Sequence, residues 1–350
     1  MRGVRSKFLS AAAKPGRFFV GAAIILGLLV VVLLVGAVIL GAQSTTRKNT
    51  LPVDKRVGDL EKDVMRLQRQ ADIFNLDALP DNLVLCDKKI PIFRGDIRER
   101  FERELFQLLE NRGLLTIIIK RYYKYLPMIT EEISRIGVPP DLIFLAVTES
   151  YLNPRAVSRA SAGGMWQFMK ETGKLEGLVV NDNVDERYNM KRSTRSALGH
   201  LKKLNAQLND WLLAMAAYNA GPGRVREAID NQQTRDFFDM YLPEETERYV
   251  FRILALKEII ANKERYGFRI DDKELYHPAL LSEVVLEASH EFDSSILAKA
   301  MDVSYRTYRF NNLHLRKYRL PKGVYRVNVP AEKKDSFIKK MKSYNYIQCQ

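Results

Sequence analysis

Val138-Pro139-Pro140-Asp141-Leu142-Ile143-Phe144-Leu145-Ala146-Val147-Thr148-Glu149-Ser150 is the stretch that decides the fold class. Proline near a first turn, followed by aspartate, starts a helix. Apolar residues then run from Leu142 to Val147 and end on Glu149. Outward from here, helical periodicity dominates residues 95–270. The pattern predicts helices over 193–209, 211–218 and 245–262. Gly221-Pro222-Gly223 breaks the chain between two of them. No alternating strand pattern interrupts the region. Beyond residue 271, 280–288 and 294–301 read as helices. Residues 323–330, with alternating Val324, Arg326 and Asn328, read as one strand. The expected architecture is mainly α, with a small α+β C-terminal tail.

Upstream, residues 18–42 hold 25 consecutive residues without a charge. At about 1.5 Å per residue they span roughly 37 Å as a helix, enough to cross a hydrocarbon core of about 30 Å with some tilt. Five of the seven cations flanking the run precede it. The positive-inside rule then leaves residues 1–17 as a basic cytoplasmic tail and exports 43–350. The run is longer than the apolar core of about 7–15 residues in a cleaved signal peptide. A transmembrane anchor over 18–42 is therefore expected, in the inner (cytoplasmic) membrane, with the rest on its periplasmic or extracytoplasmic side. Residues 43–94 mix polar residues, a charged amphipathic stretch (59–70) and proline-containing turns, and read as a tether.

Charge narrows the function classes. The chain of 350 residues has 56 Lys and Arg against 42 Asp and Glu, a formal net charge of +14. The excess sits at the ends: residues 1–48 carry +7, residues 295–350 carry +10, and the 246 residues between them carry −3. A nucleic-acid-binding core would need a basic patch in that middle. Basic ends suit an anionic membrane or wall polymer. Two cysteines, Cys86 and Cys349, exclude a disulfide-dense or cysteine-rich zinc module. Four scattered histidines lack metal-ligand spacing, and no glycine-rich phosphate loop occurs. No cofactor or metal is expected.

Three elements carry chemistry. Glu149 closes an apolar run, and a carboxyl held against apolar neighbours keeps its proton to a higher pH, as a general acid requires. Ser158 to Met169 combines small residues, a glycine pair and Trp166-Gln167, which suits a loop whose backbone approaches a ligand. Ala217-Tyr218-Asn219-Ala220-Gly221 places tyrosine and asparagine at a helix end beside a tight turn. Each also has a plainer reading: Trp166 as core, Asn219 as a helix cap, the glycines as turns.

In their order, Glu149-Ser150, Gly164-Met165-Trp166-Gln167-Phe168-Met169, Thr172-Gly173, Asp185-Glu186-Arg187, Ser193-Thr194 and Ala217 to Gly221 resemble the family 1 lytic transglycosylases, most of all their membrane-bound D type. Leu242 to Val250 resembles that subgroup's continuation, and Tyr122 with Tyr125-Leu126-Pro127 its lead-in. Lys170, Gly163, Met165 and Asn189-Met190 depart from the usual pattern, which bears on loop geometry and substrate preference. The resemblance covers about 95–270.

The resemblance implies a lysozyme-like, mostly helical SLT catalytic domain with a groove for peptidoglycan glycan strands. It implies Glu149 as the single acid/base, cleaving between N-acetylmuramic acid and N-acetylglucosamine without water to leave 1,6-anhydro ends. It implies that Ser150, Ser158, Gly164, Met165, Gln167, Tyr218, Asn219 and Tyr249 line the sugar subsites or hold Glu149 in place. In relatives the region after 270 leads to glycan-binding LysM repeats, of which 297–301, Asn311-Asn312 and 325–330 are a degenerate echo. Two alternatives fit the same residues: a lysozyme-like hydrolase, and a peptidoglycan-binding scaffold that does not cleave. Glu171, Glu176 and Asp185 are the candidates for a second carboxylate, with structural roles expected for all three.

Overall fold

The structure, a computed structural model, describes residue 55 and residues 57–64 and 80–349. The basic tail 1–17, the expected anchor 18–42 and most of the expected tether lie outside the described residues. Residues 57–64 are helical, with Lys62 and Asp59 paired at 3.6 Å. Among the described residues no helix is long and apolar enough to cross a membrane.

The larger unit begins with a hairpin, β1 (Leu83–Leu85) and β2 (Lys88–Ile90), turned at Cys86 and Asp87, both at positive φ. Helices α1 (Gly95–Glu110), α2 (Arg112–Ile136), α3 (Ile143–Ser150), α4 (Lys170–Leu175), α5 (Met190–Leu208), α6 (Trp211–Ala220), α7 (Pro222–Gln232) and α8 (Glu244–Ala261) follow. A short 3₁₀ turn, Pro140–Leu142, leads into α3, as the Pro-Pro-Asp signal predicts. Leu83, Leu85, Ile90 and Ile92 are buried in the same core as the helices, so that core starts upstream of residue 95, inside the expected tether.

Two helices organise this core. Every residue of α3 from Ile143 to Val147 is buried, as is every residue of α6 from Leu212 to Ala217. A helix apolar on all sides is a central one. The amphipathic helices α2, α5 and α8 surround them, with α3 against α2 and α8, and α6 against α5 and α8. Caps fix the ends. Asp210 accepts from the N–H of Leu212 and Leu213, at 2.7 and 3.1 Å, and so starts α6. Glu244, Glu245 and Glu247 in the first turn of α8 complement its dipole. The helices expected over 193–209, 211–218 and 245–262 correspond to α5, α6 and α8.

The C-terminal region has its own core. It contains β3 (Leu281–Ala288), β4 (Phe292–Asp293), α9 (Ser295–Ala300), α10 (Tyr305–Asn311), β5 (Arg319–Leu320), β6 (Gly323–Pro330), α11 (Lys334–Met341) and β7 (Ile347–Cys349). Strands β6, β3 and β7 form an antiparallel sheet with β3 in the centre, Leu281 facing Pro330 and Ala288 facing Gly323. The helix expected over 280–288 is thus corrected to a strand. Val284, Leu286 and Ala288 alternate inward, and β6 supplies a partner along the whole length. The expected strand at 323–330 is β6, and the expected helix at 294–301 is α9. Cys86 and Cys349 are both free thiols.

One antiparallel bridge, made of two backbone hydrogen bonds, joins this module to the first core. Val184 bridges Leu315, the Asp185 N–H donates to the His314 carbonyl at 2.8 Å, and the Arg316 N–H donates to the Asn183 carbonyl at 2.7 Å.

Candidate active site

Glu149 sits on the last turn of α3, whose apolar residues carry it into the helical core. It remains only partly accessible. Burial pushes its pKa up from 4.5 to about 7, with a smaller push from the Glu245 charge; the Tyr249 hydroxyl and Arg252 pull the other way. The Tyr249 O–H donates to Glu149 Oε1 at 2.6 Å, across one hundred residues of sequence. Tyr249 is itself buried, and burial next to the Glu149 charge holds its phenol well above the ordinary range. Tyr249 thus stays a donor, and fixes one carboxyl oxygen. The second, Oε2, has no hydrogen-bond partner among the described residues.

The loop 156–168 is built around two supports. The first is Ser150, next to Glu149. Its buried Oγ–H donates to the Met165 carbonyl at 2.7 Å and its oxygen accepts from the Asn153 N–H at 3.2 Å. The second is Arg187, held by Asp185 through Nε (3.0 Å) and Nη2 (2.8 Å). Its Nη1 donates to the carbonyls of Ser161 and Phe168, at 2.8 and 3.0 Å. Gly164 is obligatory in this arrangement. Its φ is +79°, and a Cβ there would lie 1.9 Å from the Arg187 carbonyl oxygen. Gln167, at φ +48°, donates its amide to the Gly164 carbonyl at 2.7 Å.

The remaining candidates divide by surroundings. Tyr218 donates its hydroxyl to the Trp166 carbonyl at 2.8 Å, and burial, then the charges of Glu149 and Glu176, keep its phenol protonated. Met165 is buried, and Trp166 is wholly so, its indole N–H donating to Thr194 Oγ1 at 2.9 Å; the core reading of Trp166 therefore holds over a stacking face. Ser158 Oγ accepts from the Ala162 N–H at 3.0 Å inside the loop. Asn219 alone of the set is exposed, its Oδ1 accepting from the Thr246 hydroxyl at 3.0 Å. The structure brings Glu149, Tyr249, Ser150, Met165 and Tyr218 around one carboxyl and its loop.

The other carboxylates are engaged elsewhere. Glu171 is exposed beside Lys174 at 3.4 Å, Glu176 binds His200 (3.0 Å) and Lys203 (2.7 Å), and Asp185 serves Arg187. Two residues that act on Glu149 were absent from the sequence expectation: Glu245 and Arg252. Glu245 lies four residues before Tyr249 and Arg252 three after, so helical spacing placed both on the tyrosine's face. Among the described residues no group of His, Cys, Asp and Glu could hold a metal ion.

Residues 127–240 match the family model of the transglycosylase SLT domain, in agreement with the resemblance carried by the motifs. The chain is 37% identical over 177 residues to membrane-bound lytic murein transglycosylase D of Escherichia coli strain K12, across 49% of this chain and 39% of that protein. It is 27% identical over 168 residues to membrane-bound lytic murein transglycosylase C of Haemophilus influenzae strain PittEE, across 43% and 46% respectively. Among solved structures, the 70 kDa soluble lytic transglycosylase SLT70 of Escherichia coli aligns at 24% identity and a TM-score of 0.34, over 44% of this chain and 26% of that one. The chain spans less than half the length of either of these two transglycosylases.

Proposed function

We propose that this chain is a peptidoglycan lytic transglycosylase, with Glu149 as its one acid and base. The observation that carries the reading is a lone carboxyl, raised to about 7 by burial and pinned through one oxygen by Tyr249. Ordinary glycosidases flank the bond with two carboxyl groups, roughly 5–9.5 Å apart. Here the one carboxylate whose charge acts on Glu149 is Glu245, which is exposed and faces Arg252 at 3.3 Å. A single group can serve when the nucleophile belongs to the substrate. Protonated Glu149 gives its proton to the oxygen between N-acetylmuramic acid and N-acetylglucosamine. The sugar's N-acetyl group assists departure of the bridge. The resulting Glu149 carboxylate takes the proton of the same sugar's C6 hydroxyl, whose oxygen closes on C1 as a 1,6-anhydro ring. The attack is intramolecular and gains from proximity. No cofactor enters.

In this reading Asn219, the exposed member of the set, meets the sugars. Ser150, Gly164, Gln167 and Tyr218 hold the loop, and Tyr249 orients the acid. Ser158 and Met165 shape the loop's floor. Residues 18–42 would anchor the chain, an inference from their uncharged length alone, leaving the catalytic part outside the cytoplasm. The C-terminal module, two helices between antiparallel β3 and β6, would be a LysM-like wall contact.

Mass spectrometry of muropeptides released from purified sacculi by the full chain tests the activity. Anhydro ends are expected. Reducing ends would mean that water attacked, and binding without release would leave a scaffold.

A further inference from the structure

A cleft of about 490 Å³ opens between the first core and the C-terminal module. Helix α2 contributes Arg121, Lys124 and Tyr125, the loop after α3 contributes Arg155, and Tyr276 and Phe310 complete it. Three cations line the cleft and no carboxylate does. None of the three forms an ion pair with a described carboxylate. Arg121 donates to the Tyr151 carbonyl at 3.0 Å, and Lys124 Nζ lies 5.5 Å from the Tyr125 ring centroid and 4.9 Å from that of Phe310.

The neighbouring cleft shares Lys124, Tyr125 and Phe310 with the first and pairs three of its other cations. There Lys191 meets Glu131 at 2.6 Å, Arg192 meets Glu186 at 2.9 Å and Arg195 meets Glu132 at 3.0 Å. Lys191, Arg192 and Arg195 are thus neutralised by the chain itself, whereas Arg121, Lys124 and Arg155 are not, among the described residues. Burial and the like charge of Arg121 disfavour the Lys124 ammonium. An anion in the cleft would relieve both, and guanidinium and ammonium groups over an aromatic floor suit a carboxylate on an organic chain better than a bare ion.

The cleft also adjoins the candidate active site. Asn153, on its wall, is tied to Ser150 by the N–H to Oγ bond, one residue from Glu149. A four-residue peptide reaches about 13 Å when extended. The polymer proposed above as substrate bears short peptides with free carboxylates on its muramic acid units.

We propose that this cleft binds the carboxylates of a peptidoglycan stem peptide, so that the chain reads the peptide as well as the glycan. The choice of peptide rests on the function proposed above; the cationic character of the cleft does not.

The test is calorimetric titration of the full chain with the free stem tetrapeptide (Ala, γ-linked Glu, diaminopimelate, Ala). Saturable binding is expected. Amidation of the peptide's carboxyl groups should weaken it at least tenfold, and so should the double change Lys124→Gln with Arg155→Gln. The charge-preserving pair Lys124→Arg with Arg155→Lys should stay within about threefold of the parent, which separates loss of charge from loss of fold. Absence of binding, equal affinity for the amidated peptide, or equal affinity in the neutral double variant would each overturn the proposal. So would an acetylated triglutamate peptide, or inorganic phosphate, binding as tightly as the tetrapeptide, since the cleft would then take any anion. The titration needs no bond cleavage, so failure of the activity assay and failure of this proposal are read separately.

Discussion

Replacing Glu149 by glutamine should stabilise the fold at neutral pH while it stops turnover. In the folded chain the carboxyl titrates at about 7, against 4.5 for the ordinary group. The folded state therefore holds the proton more tightly than the unfolded state. Below 4.5 both states are protonated and the site imposes no penalty. Between 4.5 and 7 the unfolded chain releases the proton first, so stability falls as pH rises through that window. At 1.36 kcal/mol per unit, the accumulated cost reaches about 3 kcal/mol above pH 7 as an upper bound. Glutamine keeps the size of the side chain and an oxygen for the Tyr249 hydroxyl, and does not titrate. Urea unfolding of both proteins, followed by Trp fluorescence, is the assay, because Trp166 is wholly buried in the first core. The variant's advantage should be near zero at about pH 4 and grow to about 2–3 kcal/mol by about pH 8. A difference that stays constant across the range would refute the claim that burial raises this carboxyl. Retained release of muropeptides would refute its role as the acid.

Three other outcomes follow from the same geometry. Tyr249→Phe removes a hydrogen bond to the Glu149 carboxylate worth about 1.5–3 kcal/mol, so the alkaline limb of the pH–rate profile should move up by about one to two units; an unmoved limb, or one displaced to lower pH, would deny that this bond favours the anion. Gly164→Ala must place a methyl against the Arg187 carbonyl at positive φ and should destabilise by more than about 1 kcal/mol in urea unfolding, whereas a neutral result would mean that the loop backbone is free to shift. Asp210→Ala strips the cap of α6 and the partner of Lys88 at 2.7 Å; its expected cost is about 1–2 kcal/mol, read as a shift in urea midpoint at unchanged slope.

The sequence made the helical part legible because its signals are local. Pro140 and Asp141 mark the start of α3, and Gly221-Pro222 separates α6 from α7. The apolar run marked Glu149 only weakly, since an acid at the end of such a run is as readily a solvated helix end, and the motif resemblance singled it out. Strand β3 was not legible. Leu281, Val284, Val285 and Ala288 fit a helical stripe, while Val284, Leu286 and Ala288 fit a strand, and eight residues cannot separate the two periods. The deciding partner, β6, begins 35 residues after β3 ends, and no local pattern reports it. The division of labour around Glu149 was hidden for the same reason. Ser150, Gln167 and Tyr218 look like sugar-binding polar groups in sequence, yet each has a hydroxyl or amide hydrogen committed to a backbone carbonyl. The tie between Tyr249 and Glu149 spans the fold, and only the motif resemblance pointed to it.

The segment Asn183–Arg187 faces two ways. Arg187 holds the loop beside Glu149, while Asn183, Val184 and Asp185 bond to the C-terminal module. That module is consequently a splint on the loop as well as an appendage. A truncation after residue 270, the natural cut for grafting the helical part onto another protein, would leave the backbone of residues 183–185 without its neighbour and slacken the brace behind the acid. Loss of cleavage in such a fragment would then report a loosened frame rather than a lost hold on the wall, and a graft that ends after Cys349 is the sounder starting material.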